Sequence, residues 1–291
     1  MQASTDADAV MNTDADAVMA VPGEERAAQI AYRLYNSPRR EWPYPHAVLG
    51  DVLPDDLFRA LRSADFASSA PQLHGSAMGN LAAETNRYGI GITPDTVDSD
   101  PTLPPLLRYT YKVLSHRLCV TALSRIFGRD LVGFFGKAEL PMATTMLVVE
   151  DRTGYALLPH TDTPFKAVTL LVYLADDGAD PSYGTEMYMP APGVTLTGTN
   201  PMRTRYQRDR FVRVATAPYQ PNGGLMFPPS PKTFHGVREV SEGDRTRRLL
   251  QFQLFVNDPA IRRVGDDAPA GKPEPDMAGA SPAAQTDPTT P

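Results

Sequence analysis

Two early stretches of the chain carry apolar side chains at helical spacing. Glu24-Glu25-Arg26-Ala27-Ala28-Gln29-Ile30-Ala31-Tyr32-Arg33-Leu34-Tyr35 has carboxylates in its first turn and apolar residues three and four apart, which predicts a short helix. Pro54-Asp55-Asp56-Leu57-Phe58-Arg59-Ala60-Leu61 opens a second, with proline and two acids where the helix dipole favours them. Between them, Trp42 to Leu49 reads as extended, because residues before proline avoid the helical region. Residues 67–102 are rich in Ser, Gly, Asn, Asp and Pro, with a short strand over 85–92. From 103 to 127 the apolar positions Leu106, Leu107, Val113, Leu114, Leu118, Leu123 and Ile126 predict one long helix ended by Gly128, lying on the outside of a sheet.

Near residue 140 the period changes to that of strands. Residues 144–150, a turn at 151–154 and a return over 155–158 read as a hairpin. The apolar run Ala167-Val168-Thr169-Leu170-Leu171-Val172-Tyr173-Leu174, then 184–189, the alternating 210–215, 225–227 after Gly223-Gly224, and 245–256 supply further strands. The last of these places Arg245, Arg247, Leu249, Gln251 and Gln253 on one face and Thr246, Arg248, Leu250, Phe252 and Leu254 on the other. The Pro-, Gly-, Thr- and Arg-rich loop over 190–208 is long enough to be functional, either a lid bringing basic side chains to a substrate or a plain surface insertion.

These elements divide the chain into three parts. Residues 1–21 hold a duplicated heptapeptide, Thr5 to Met11 and Thr13 to Met19, too poor in apolar groups to offset ordering entropy, so a disordered leader is expected. A single domain over 22–264 has its sheet core at about 140–257, and a tail over 265–291 is expected to be disordered. A 42% hydrophobic content is consistent with one large, mainly β domain with helical decoration. The net charge of −6 speaks against a nucleic-acid surface. One cysteine, Cys119, excludes an intramolecular disulfide, and its apolar helical setting suggests a buried, inert thiol. With no long apolar run and no basic leader, neither membrane nor secretion is indicated, and a cytoplasmic location is expected. Nothing in the pattern speaks to oligomeric state.

Chemistry concentrates at Leu157-Leu158-Pro159-His160-Thr161-Asp162-Thr163, where side chains two apart on a strand share a face, so His160 and Asp162 project together. His235 follows far downstream, and Arg245 stands ten residues beyond it. Two imidazoles and one carboxylate on one face of an iron ion leave coordination positions open for chemistry. His46, His74 and His116 lack helical zinc-site spacing and read as structural or solvated.

His160-x-Asp162, His235 and the trailing Arg245 resemble the iron(II)/2-oxoglutarate-dependent oxygenases, in particular the prolyl-hydroxylase-like branch. The resemblance implies a double-stranded β-helix, a jelly roll of cupin-like form, with the N-terminal helices packed outside the sheet. It implies Fe(II) on His160, Asp162 and His235, with 2-oxoglutarate and O2 as co-substrates and ascorbate as an accessory reductant. Arg245 would hold the far carboxylate of 2-oxoglutarate, with Arg247 on the same face as the alternative and Thr169 or Tyr155 as supplementary contacts. Arg87 or Tyr88 would touch substrate. Asp162 fills the position where halogenating relatives carry a small residue, so hydroxylation of an unactivated C–H bond in a small molecule, an amino acid or biosynthetic intermediate, is the implied outcome. Desaturation, cyclisation and hydroxylation of a protein residue use the same triad. Two readings of other kinds stand beside it: a zinc hydrolase or isomerase on the same ligands, and a non-catalytic cupin-like metal-binding or sensor protein.

Overall fold

The computed structural model describes residues 15–66, 70–73, 86–196, 207–241 and 246–258. In chain order the strands are β1 (Ala47–Leu49), β2 (Arg87–Ile92), β3 (Met142–Asp151), β4 (Leu157–His160), β5 (Lys166–Tyr173), β6 (Thr185–Pro190), β7 (Phe211–Ala217), β8 (Gly224–Phe227), β9 (Phe234–Val237) and β10 (Arg247–Val256). They pair antiparallel in two sheets, ordered β1-β8-β5-β10-β3-β2 and β4-β9-β6-β7. From β3 onward the chain crosses between sheets at every connection except β6 to β7, the connectivity of a double-stranded β-helix. The expected fold class is therefore the one observed.

Strand β5 explains its own apolar run, since a strand covered on both faces has no reason to alternate. Leu171 and Tyr173 look into the space between the sheets, where they join Leu157, Met187, Phe227 and Leu249 in one cluster. Val168, Leu170 and Val172 look the other way, onto helices. Those helices are α1 (Gly23–Tyr35), α2 (Asp55–Ser63), α3 (Pro105–Leu114), α4 (Arg117–Ile126) and α5 (Gly128–Phe135). Ile30, Leu57, Leu107 and Leu123 pack with Leu250, Phe252 and Leu254 of β10, each fully buried side chain contributing roughly 1.5–3 kcal/mol. Among the described residues no helix is long and apolar enough to cross a membrane.

Three expectations need correction. The single helix over 103–127 is two, because His116 adopts an extended conformation (φ −61°, ψ 143°) and its ring accepts the Leu118 N–H, capping α4. Apolar spacing continues across that break, so periodicity alone conceals it. The hairpin over 144–158 does not form: β3 pairs with β10 and β2, whereas β4 pairs with β9 in the opposite sheet. A turn signature marks where the chain changes direction, not which strand it then joins, and here Gly154 (φ 86°) helps carry it across. Finally, residues 15–20, inside the expected leader, are helical, and Val18 is buried in the helical core. One well-placed apolar side chain docks a segment whose average composition is polar. The remainder of the leader at 1–14 and the tail at 265–291 lie outside the described residues.

Candidate metal centre

His160 ends β4, and its partner in the ladder is His235 of β9. Opposite residues of an antiparallel pair share a face and stand close. The pairing therefore brings the imidazoles together, with ring centroids 4.3 Å apart and planes 52° apart. Asp162 lies just beyond β4. Thr169 Oγ1 donates to its Oδ2 at 2.8 Å, and Lys166 Nζ sits 2.7 Å from its Oδ1. One ligand atom from each of His160, Asp162 and His235 lies within 4.8 Å of the others, and all three side chains are buried.

Both histidines are oriented in the same way. Nδ1 of His160 lies 3.0 Å from the Leu158 carbonyl, and Nδ1 of His235 lies 3.0 Å from that of Thr233. A carbonyl oxygen only accepts, so each Nδ1 carries the hydrogen and the neutral ring keeps its lone pair on Nε2, the arrangement of a metal-ligating histidine. Burial opposes the charge on Asp162, but the Lys166 ammonium, joined by the two imidazoles at the acid pH where they are protonated, holds its carboxyl well below the usual carboxylate range. The site thus offers two nitrogen lone pairs and a carboxylate, a donor set that suits a first-row divalent ion with positions left open.

Away from this end of the barrel, the inward face of the large sheet carries a second polar group. Arg247 of β10 is buried, with Nη1 2.6 Å from Asp151 Oδ2 and Nε donating to the Tyr183 carbonyl at 2.6 Å. Asp151 is also gripped by Arg87 through Nε at 2.5 Å and Nη2 at 3.0 Å. The register explains the meeting, since Arg87 and Arg247 both pair with Asp151, from β2 and β10 on either side of β3. The guanidinium of Arg247 lies 5.8 Å from the Tyr173 ring centroid, and the Tyr173 hydroxyl donates to Thr185 Oγ1 at 2.9 Å.

The other residues singled out from the sequence fare differently. Arg245 lies outside the described residues, as do His74 and most of the 190–208 loop. Thr169 is engaged with Asp162, so it orients a triad member. Tyr155 lies inside the barrel under Arg87, whose guanidinium is 4.3 Å from its ring centroid. Arg87 and Tyr88, either of which was expected to touch substrate, face opposite ways, as neighbours on a strand do. Arg87 is only 2% exposed and bound to Asp151, while Tyr88 faces the outer side beneath the Arg152 guanidinium, 3.9 Å from its ring. Of the basic residues at the end of the 190–208 loop and beyond it, Arg208 and, on β7, Arg213 bind the buried carboxylate of Glu186 at 2.7 and 3.0 Å, while Arg203 and Arg205 lie outside the described residues. His46 is buried with Nδ1 at 2.8 Å from the Tyr44 carbonyl, and burial pushes the Cys119 thiol up to about 12, so both are structural as expected.

Sequence reasoning missed Lys166, Asp151 and Tyr44. Asp151 had a detectable signal, a charge at inward parity on an apolar strand. Lys166 and Tyr44 had none, since only the folded path of the chain brings them to the barrel interior. The Tyr44 ring packs 6.4 Å from Phe227, which in turn lies 4.6 Å from His235. Its buried hydroxyl has no hydrogen-bond partner among the described residues, and an orphaned donor on a ring one residue removed from His235 fits an anionic ligand bound with a metal.

No family model matches the chain, and no curated protein does. Solved structures do. A prolyl hydroxylase from Trichoplax adhaerens, in complex with a hypoxia inducible factor oxygen degradation domain peptide fragment, superposes with a TM-score of 0.50 at 14% identity, over 82% of this chain and 94% of that one. A prolyl-4-hydroxylase from Pseudomonas putida gives 0.45 at 17% identity, over 80% and 100% of the two chains. HygX from Streptomyces hygroscopicus, solved with nickel, 2-oxoglutarate and hygromycin B, gives 0.42 at 13%, over 73% and 83%. The resemblance read from the motif is thus matched in three dimensions: the chain has the fold of a prolyl hydroxylase.

Proposed function

We propose that this chain is an iron(II)/2-oxoglutarate-dependent dioxygenase that hydroxylates an unactivated C–H bond of a small molecule, such as an amino acid or a biosynthetic intermediate. The observation that carries the proposal is the convergence of His160, Asp162 and His235 to within 4.8 Å inside a double-stranded β-helix. Ferrous iron, with 2-oxoglutarate and O2, supplies an oxidant equal to such a bond, the co-substrate leaving as succinate and CO2.

The chain's own residues supply position and charge. Two neutral imidazoles and one carboxylate leave a divalent ion with a net positive charge, which favours a chelating anion. The Leu158 and Thr233 carbonyls fix the ring orientations, and Thr169 fixes the carboxylate. Arg247 takes the role of anchor for the far carboxylate of 2-oxoglutarate, because its planar guanidinium is buried, inward-facing and always charged. Asp151 and the Tyr183 carbonyl hold it in place. Arg245, two residues earlier in the sequence and outside the described residues, is the alternative anchor.

A small-molecule substrate is supported by a cleft of about 540 Å³ bordered by Thr93, Thr145, Phe165, Phe255 and Asn257, within the range of small-ligand pockets. Thr145 pairs with Gln253, and Gln253 with Thr169, which holds Asp162, so Thr145 at the cleft stands two strands, roughly 10 Å, across the sheet from Thr169.

The test is succinate formation by the iron-loaded protein with 2-oxoglutarate across a metabolite panel, with His160→Ala, Arg247→Ala and Arg245→Ala beside the wild type. Succinate that requires His160 and one of the two arginines supports the reading. Equal yield from wild type and all three variants contradicts it.

A further inference from the structure

Tyr44 belongs to none of the strands of the barrel. It stands in the segment that precedes β1, yet its ring sits inside, against Phe227 and joined to the same buried cluster as Tyr173 and Leu171. It is 2% exposed, and its hydroxyl oxygen is buried without a hydrogen-bond partner among the described residues. Such a group is costly to leave unpaired, and phenylalanine would fill the same space without that cost. Burial first, then the Tyr173 hydroxyl and the Asp162 carboxylate, push its pKa well above that of an ordinary phenol. The hydroxyl therefore remains a neutral donor, on a ring that packs against Phe227, the neighbour of His235, and shares its cluster with Tyr173, whose ring lies 5.8 Å from the Arg247 guanidinium.

Resting on the iron(II)/2-oxoglutarate reading above, we infer that the Tyr44 hydroxyl donates a hydrogen bond to a carboxylate oxygen of 2-oxoglutarate bound between the triad and Arg247. The acceptor's charge makes this one of the stronger hydrogen bonds a neutral donor can form. An oxygen at that place would satisfy the one polar atom that the folded chain leaves unpaired on Tyr44. The segment before β1 would then be part of the co-substrate pocket as well as a cover for the sheet edge.

The test is anaerobic calorimetric titration of 2-oxoglutarate into the iron(II)-loaded full chain, wild type against Tyr44→Phe, with no substrate present. Thermal melting of both proteins with and without 2-oxoglutarate supplies a second readout. The expected result is a Kd for 2-oxoglutarate raised about tenfold to a hundredfold in the variant. The metal-free variant should melt at or above the wild-type temperature, and the upward shift in melting produced by 2-oxoglutarate should shrink. An unchanged Kd and an unchanged shift overturn the role of Tyr44 while leaving the oxygenase reading intact. Failure of the iron-loaded wild type to bind 2-oxoglutarate overturns both.

Discussion

His160 and His235 face each other across the β4–β9 ladder, so the spacing of the two imidazoles is set by strand register. Side chains alternate with a period of two, and a slip of one residue would carry His235 to the outer face, where Phe234 now packs with Tyr188 and Phe211.

Gly236 protects that register. A Cβ there would lie 2.6 Å from the Leu157 carbonyl oxygen and 3.2 Å from the Tyr188 ring. Gly236→Ala should push β4 away from β9, separating the histidines. We expect iron affinity to fall at least tenfold, with the far-ultraviolet circular dichroism little changed; wild-type affinity would show that the ladder tolerates the methyl.

Lys166 places its ammonium on Asp162 Oδ1 and so competes with a metal for the same oxygen. Lys166→Met removes that competitor and a nearby like charge. The iron(II) dissociation constant should fall by about tenfold, equivalent to roughly 1.4 kcal/mol. Weaker binding would mean that the ammonium supports the centre instead.

Asp151 joins two buried guanidinium groups, Arg87 and Arg247. Removing it leaves two like charges confined in the barrel, whereas removing Arg247 leaves an intact Arg87 pair. Asp151→Ala should therefore destabilise by about 3–5 kcal/mol in denaturant unfolding, more than Arg247→Met. The reverse order would contradict the sharing of one carboxylate.

Glu186 gives the fold an acid-sensitive component. Burial works against its ionisation, but hydrogen bonds from Tyr188, Arg208 and Arg213 outweigh it and lower its pKa below the ordinary 4.5. A folded-state pKa lowered in this way contributes stability that is fully present above the unfolded value and lost as pH falls through the folded one. Wild type should therefore exceed Glu186→Gln in stability near neutral pH. The gap should narrow as pH drops below about 4.5. A gap independent of pH would place the stabilisation elsewhere.

Much of this was legible in the chain. The buried run at Ala167 to Tyr173, the alternation over 247–256 and the motif at His160 and Asp162 each follow from local pattern, and all three are realised. What was not legible depends on pairing across distance. The sheet that β4 joins and the meeting of Arg87 with Arg247 on Asp151 are set by tertiary register, which no local window contains. Arg87, a candidate substrate contact by sequence, is a core residue, because the strand partner that neutralises it lies 64 residues away.

The metal centre itself is tested most directly by equilibrium binding of ferrous iron under anaerobic conditions, with stoichiometry measured for the wild type and for His160→Ala, Asp162→Ala and His235→Ala. The account predicts about one ion per wild-type chain, in keeping with a single three-ligand site, and loss of tight binding in every variant. Three variants that each retain full stoichiometry at wild-type affinity would contradict it.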